Sequence, residues 1–146
     1  MTPEVGLVIR HIYLWRDEHK RGQIEGRKAR PCLIIHKRLN KYGETEVLVC
    51  PITHTLPETS GQSIEIPLAT KQRLKLDNQR SWIITNEVNL FKWKGPDVRE
   101  TQTGEHAYGY LPHRLIQTAI KQVINNARER RLGIVKRVHE PEPAYS

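Results

Sequence analysis

The sequence offers three side chains suited to work on a phosphate ester: Arg30, Thr53 and His54. A guanidinium is charged at every physiological pH and matches phosphate oxygens bidentately, so Arg30 is the candidate for stabilising a reacting phosphate. The Thr53 hydroxyl can donate to a phosphate oxygen or to a ribose 2′-oxygen. His54 supplies an imidazole, the side chain best suited to general acid–base work near neutral pH. Whether the first two meet depends on strand pairing. Pro31 to Lys37 and Glu46 to Thr53 read as strands, with Asn40-Lys41-Tyr42-Gly43 as the turn between them. If Arg30 faces Thr53 in that antiparallel hairpin, the numbers of cross-strand partners sum to 83, so Leu33 faces Cys50 and Cys32 faces Pro51. Side chains alternate along a strand, so the two cysteines then project to opposite faces. A register summing to 82 would instead pair the cysteines and part Arg30 from Thr53.

The elements that must carry these residues are mostly strands. Val5 to Trp15 has strand composition with a bend at Arg10-His11, and the charged stretch from Arg16 to Ala29 reads as a long mobile loop. Ser63 to Pro67 is expected as a short strand, Arg80 to Thr85 as a longer one, and Leu68 to Leu76 as two helical turns. The main helical signal runs from Pro112 to about Arg131. There Leu115, Ile116, Ala119, Ile120, Val123, Ile124 and Ala127 recur at helical spacing, and Gly133 follows as a stop. This order predicts an α+β, mainly β domain, a small barrel or curled sheet with a long C-terminal helix packed on it. The domain is expected to span residues 1–131, with 132–146 as a partly disordered extension.

Composition narrows the class. The chain has 146 residues and a formal charge of +8, from 24 Lys and Arg against 16 Asp and Glu, which favours a polyanionic partner. No apolar run approaches a membrane span, the first residues do not read as a signal peptide, and two cysteines without ligand spacing suit a reducing cytosol. A membrane protein, a disulfide scaffold and a zinc finger are thereby excluded. Arg21, Arg27, Lys28 and Lys37 crowd the loop and strand around the proposed site and are candidates for contact with a polyanion. Glu87 is a candidate for orienting a base. Trp93, between Lys92 and Lys94 and ahead of Gly95-Pro96, is the aromatic most expected at the surface for stacking.

A charged, glycine-bearing loop leads into Arg30-Pro31 and a hydrophobic strand, and a second strand ends in Pro51-Ile52-Thr53. This pattern resembles the MazF/PemK toxins of bacterial toxin–antitoxin pairs. The likeness runs from about Val5 to Arg128, and Leu14-Trp15, Pro51-Ile52-Thr53-His54 and Gly95-Pro96-Asp97 point to a divergent branch. It implies an SH3-like barrel of PemK/CcdB type, a homodimer, and cleavage of single-stranded RNA such as mRNA without metal or cofactor. It also implies restraint by an acidic cognate antitoxin. Such cleavage needs a base for the 2′-hydroxyl, an acid for the leaving 5′-oxygen and a cation at the phosphorane. The resemblance marks Arg30 and Thr53 as catalytic, and Glu25 lies where some members carry a functional acid. The base stays open among Glu25, His54 and a relayed water. Lys28 stands where the family usually has glycine, and Glu87-Val88-Asn89-Leu90-Phe91 lacks the arginine and aspartate that some members use. Two other readings share the barrel: a gyrase poison like CcdB, and a non-catalytic nucleic-acid-binding barrel. The former depends on a C-terminal Trp-Gly-Ile, whereas this chain ends Glu142-Pro143-Ala144-Tyr145-Ser146.

Overall fold

The computed structural model describes residues 2–22, 28–57 and 59–137. Its elements are β1 (Leu7–Ile12), α1 (Arg16–Lys20), β2 (Ala29–Leu39), β3 (Thr45–Thr53), β4 (Ser63–Glu65), α2 (Leu68–Arg73), β5 (Trp82–Ile84), β6 (Glu87–Lys92), β7 (Val98–Arg99), β8 (Gly109–Tyr110), α3 (His113–Arg128) and β9 (Gly133–Lys136).

The long hairpin of β2 and β3 is the spine. Cys32 pairs with Pro51, Leu33 with Cys50 and Ile34 with Val49, the register that sums to 83. A bulge between Ile34 and His36 then moves the far half by one residue, so that His36 pairs with Leu48. Cys32 accordingly packs on one face with Ile9, Tyr13, Ile34, Val49 and Phe91, and Cys50 on the other with Val8, Leu33, Ile35, Ile52 and Val88. Both thiols are free, and burial pushes both well up from the ordinary range.

β1 lies beside β2, and β7 and β8 pair with the outer edge of β1. The outer edge of β3 is divided: Ile52 and Thr53 pair with β5, whereas Glu46 to Val49 pair with β6. The sheet is mostly antiparallel, and the SH3-like barrel expected from the resemblance is not closed by any strand pairing among the described residues. The path runs from β4 at one end to β7 at the other, and no ladder joins the two among the described residues.

α3 covers the Cys50 face with Ala119 and Val123, supported by Leu115, Ile116 and Ile120. Its stripe is narrower than the periodicity predicts. Ile124 and Ala127 lie at the surface, and Asn126 takes the buried place by donating to the Thr85 carbonyl at 2.9 Å.

Two other expectations change. Arg16 to Lys20, inside the expected loop, forms α1, because the buried Glu18 carboxylate accepts the Trp15 N–H at 3.1 Å. Gly133 to Lys136, inside the expected extension, forms β9, which runs parallel to β6 with Val135 buried and Ile134 exposed. Arg137 follows, 4% exposed and 2.7 Å from Asp97, so the packed domain reaches Arg137. The end of the expected disordered tail, residues 138–146, lies outside the described residues.

Candidate active site

Pro31 restricts the residue before it to extended backbone, which holds Arg30 in strand geometry opposite His11 of β1. Its guanidinium carbon lies 4.8 Å from the centroid of the Trp15 ring. Trp15 is itself fixed from two sides. Tyr13 meets it edge-on at 5.0 Å, and the buried Asn89 side chain clamps the preceding residue, accepting the Leu14 N–H at 3.0 Å and donating to its carbonyl at 2.8 Å. Arg30 Nε is buried and has no hydrogen-bond partner among the described residues. Thr53, at the end of β3, lines the same cleft as Arg30, Trp15 and Ile84, and its hydroxyl accepts the Thr55 N–H at 3.2 Å.

His54 follows Thr53 and opens onto a cavity of about 500 Å³ that Arg30 and Thr53 also line. Its Nε2 lies 2.5 Å from Asp77 Oδ2. The other oxygen, Oδ1, takes hydrogen bonds from Lys71 Nζ at 2.6 Å and from the Gln79 N–H at 3.0 Å. Lys71 is 2% exposed, and its ammonium also donates to the Ser81 hydroxyl at 2.6 Å and to the Gln79 carbonyl. Partial burial pushes the Asp77 carboxyl up, but the hydrogen bonds from Lys71, Gln79 and His54 outweigh it and hold the group below the usual carboxylate range. Five cations line this cavity (Lys28, Arg30, Lys71, Arg73 and Lys75) against the carboxylates of Asp77 and Glu105, a balance that draws in a polyanion.

A second cleft, of about 450 Å³, joins Arg30 and Trp15 to Glu87, Arg21 and Lys28. Glu87 Oε1 accepts the Tyr13 hydroxyl and the Arg16 N–H, each at 3.0 Å. Burial raises the Glu87 carboxyl above its ordinary value despite those two bonds.

Arg30, Thr53, His54, Glu87, Arg21 and Lys28 therefore gather round one end of the β2–β3 hairpin. Two candidates do not join them. Lys37 sits seven residues along β2 from Arg30, roughly 23 Å at strand rise, and donates to the Pro3 carbonyl. Trp93, expected at the surface, is half-buried against Phe91 beyond the far end of β6, where its backbone N–H donates to the Thr45 carbonyl. The bulged far half of the hairpin leads away from the cleft. Glu25 and Arg27 lie outside the described residues.

The sequence reading missed Asp77 and Lys71. Lys71 gives no signal beyond its place one turn before Leu74 on the buried side of α2, and Asp77 reads only as a turn former. Trp15 counted as one aromatic among several, and its place against Arg30 depends on the Asn89 clamp 75 residues away.

A family model described as PemK-like, MazF-like toxin of type II toxin-antitoxin system matches residues 10–95, a span containing every residue of this cluster except those of the loop after Glu100. Among solved structures the chain is similar to Mycobacterium tuberculosis toxin MazF-mt6, 22% identical over 83% of this chain and 96% of that one, with a TM-score of 0.50. It is similar also to an endoribonuclease in complex with its cognate antitoxin from mycobacterial species, 15% identical over 85% and 96%, with a TM-score of 0.52. At these identities the likeness is one of fold. No curated protein matches the sequence.

Proposed function

The chain belongs to the PemK-like, MazF-like toxins of type II toxin–antitoxin systems, and from that premise we propose that it is an endoribonuclease that cuts single-stranded RNA without metal. The observation that carries this reading is Arg30: a guanidinium whose buried Nε has no hydrogen-bond partner among the described residues, lining with Thr53 a cavity rich in cations. A cation left short of acceptors in such a place is matched by an anion from outside, and a phosphodiester supplies one. In the reaction His54 removes the proton from the ribose 2′-hydroxyl. The 2′-oxygen bonds to phosphorus, the bond to the 5′-oxygen breaks, and that oxygen takes a proton from solvent, leaving a 2′,3′-cyclic phosphate. Arg30 and Thr53 donate to the phosphorane oxygens as charge gathers there. Glu25 remains a candidate second acid on the preceding loop. Arg21, Arg27 and Lys28 bind flanking phosphates, and Glu87 faces a nucleobase beside Trp15.

One of the similar structures is an endoribonuclease held by its cognate antitoxin. By the same reading this toxin works as a homodimer in the cytoplasm and is silenced by an acidic antitoxin that competes with RNA for the basic cleft. The test is incubation of purified protein with end-labelled single-stranded RNA in EDTA. Fragments ending in cyclic phosphate, absent with Arg30→Ala, support the reading. RNA bound but left whole points instead to a passive binding barrel.

A further inference from the structure

A buried ammonium rarely serves an exposed carboxylate without purpose. Lys71 spends a fully covered side chain on three acceptors, Asp77 Oδ1, the Gln79 carbonyl and the Ser81 hydroxyl. Asp77 Oδ1 also holds the Gln79 N–H, so the carboxylate is gripped from two sides and cannot swing. What it presents outward is Oδ2, 2.5 Å from His54 Nε2. An ionised carboxylate only accepts, so Nε2 carries the hydrogen, and in the neutral imidazole Nδ1 then holds the lone pair. Nδ1 has no partner among the described residues, and the His54 side chain is 47% exposed toward the cavity shared with Arg30 and Thr53.

We propose that Asp77, anchored by Lys71, is a positioning residue that holds His54 in the Nε2–H tautomer with Nδ1 free to act as the base. This deepens the ribonuclease reading and rests on it. When Nδ1 takes the 2′-hydroxyl proton, the imidazole becomes a cation in a cavity already lined by Lys28, Arg30, Arg73 and Lys75. Glu105, the other carboxylate there, is engaged with Lys75 at 3.9 Å. Asp77 is thus the carboxylate in hydrogen-bond reach that offsets the new charge, the part an aspartate plays beside a catalytic histidine in hydrolases.

Asp77→Asn nearly preserves shape and removes the charge. In the wild type, long-range 1H–15N spectra of neutral His54 are expected to show the tautomer protonated at Nε2; in Asp77→Asn the amide oxygen stays with Lys71 and Gln79, the amide nitrogen donates to Nε2, and the tautomer protonated at Nδ1 takes over. Turnover of labelled single-stranded RNA is expected to fall about 10- to 100-fold with little change in KM. That is less than the full contribution of a general base, because the pair is half exposed. If Asp77 acts through His54, adding Asp77→Asn to His54→Gln lowers turnover no further than His54→Gln alone. An unchanged tautomer, a turnover within twofold of wild type, or fully multiplicative losses in the double variant each overturn the proposal. Wild-type protein that cuts no RNA overturns the ribonuclease reading as well. Wild-type protein that cuts, with an Asp77→Asn variant cutting as fast, overturns the positioning role alone.

Discussion

Replacing Arg30 by alanine separates a catalytic guanidinium from a structural one, because the two roles predict opposite balances of activity and stability. The side chain stabilises the fold by stacking on Trp15, with its guanidinium carbon 4.8 Å from the ring centroid, a contribution of about 0.5–2 kcal/mol. Against that stands a buried Nε without an acceptor among the described residues, a desolvation cost of about 1–3 kcal/mol that alanine removes. The two nearly cancel, so urea unfolding of Arg30→Ala should give a stability within about 1 kcal/mol of wild type, or slightly above it. Catalysis should behave otherwise. Loss of one preorganised donor to the phosphorane raises the barrier by about 3 kcal/mol, a fall of 10²-fold or more in cleavage of labelled RNA. Arg30→Lys keeps the charge but neither the fork nor the flat stacking surface, and should recover only part of the rate. A variant destabilised by more than about 2 kcal/mol, or one that cleaves RNA within fivefold of wild type, refutes the reasoning, since Arg30 would then be a packing residue.

Further expectations concern the groups around the cleft. Because burial raises the folded-state pKa of Glu87 above its ordinary 4.5, its contribution to stability is complete below that value and is lost as pH rises through the folded one. Glu87→Gln should therefore lose less stability than wild type as pH rises above 4.5 in urea titrations. Lys71→Met leaves Asp77 Oδ1, the Gln79 carbonyl and the Ser81 hydroxyl without their common donor, and should cost about 2–4 kcal/mol in the same assay. Gly109 has a φ of +128°, and a Cβ there would come within 2.9 Å of Leu74 Cδ2. Gly109→Ala should lower the melting temperature, at a cost of about 1–3 kcal/mol, by straining β8 against the segment that ends α2.

The hairpin and the long helix were legible because both rest on local periodicity. Pro31 to Lys37 and Glu46 to Thr53 are strand-forming runs joined by a turn around Gly43, so the pairing was legible; both faces are buried, so it is packing against two core clusters that holds the 83 register at Cys32–Pro51. Apolar spacing from Leu115 to Val123 specifies a packed helix in the same way. Where the periodic signal overran, at Ile124 and Ala127, a single polar residue, Asn126, had the better partner in the Thr85 carbonyl.

Arg30 and Thr53 stand on one hairpin that the sequence announces, but it is the observed register that keeps them together, since a slip to the 82 register would part them. The rest of the site is tertiary. His54 and Asp77 are 23 residues apart, Leu14 and the Asn89 that clamps it are 75 apart, and β9 finds its place only because β6 presents an unpaired edge. Hydrogen bonds between distant polar side chains follow no periodicity, and the same Asp, Lys or Asn reads as ordinary surface until packing decides which of them loses its water.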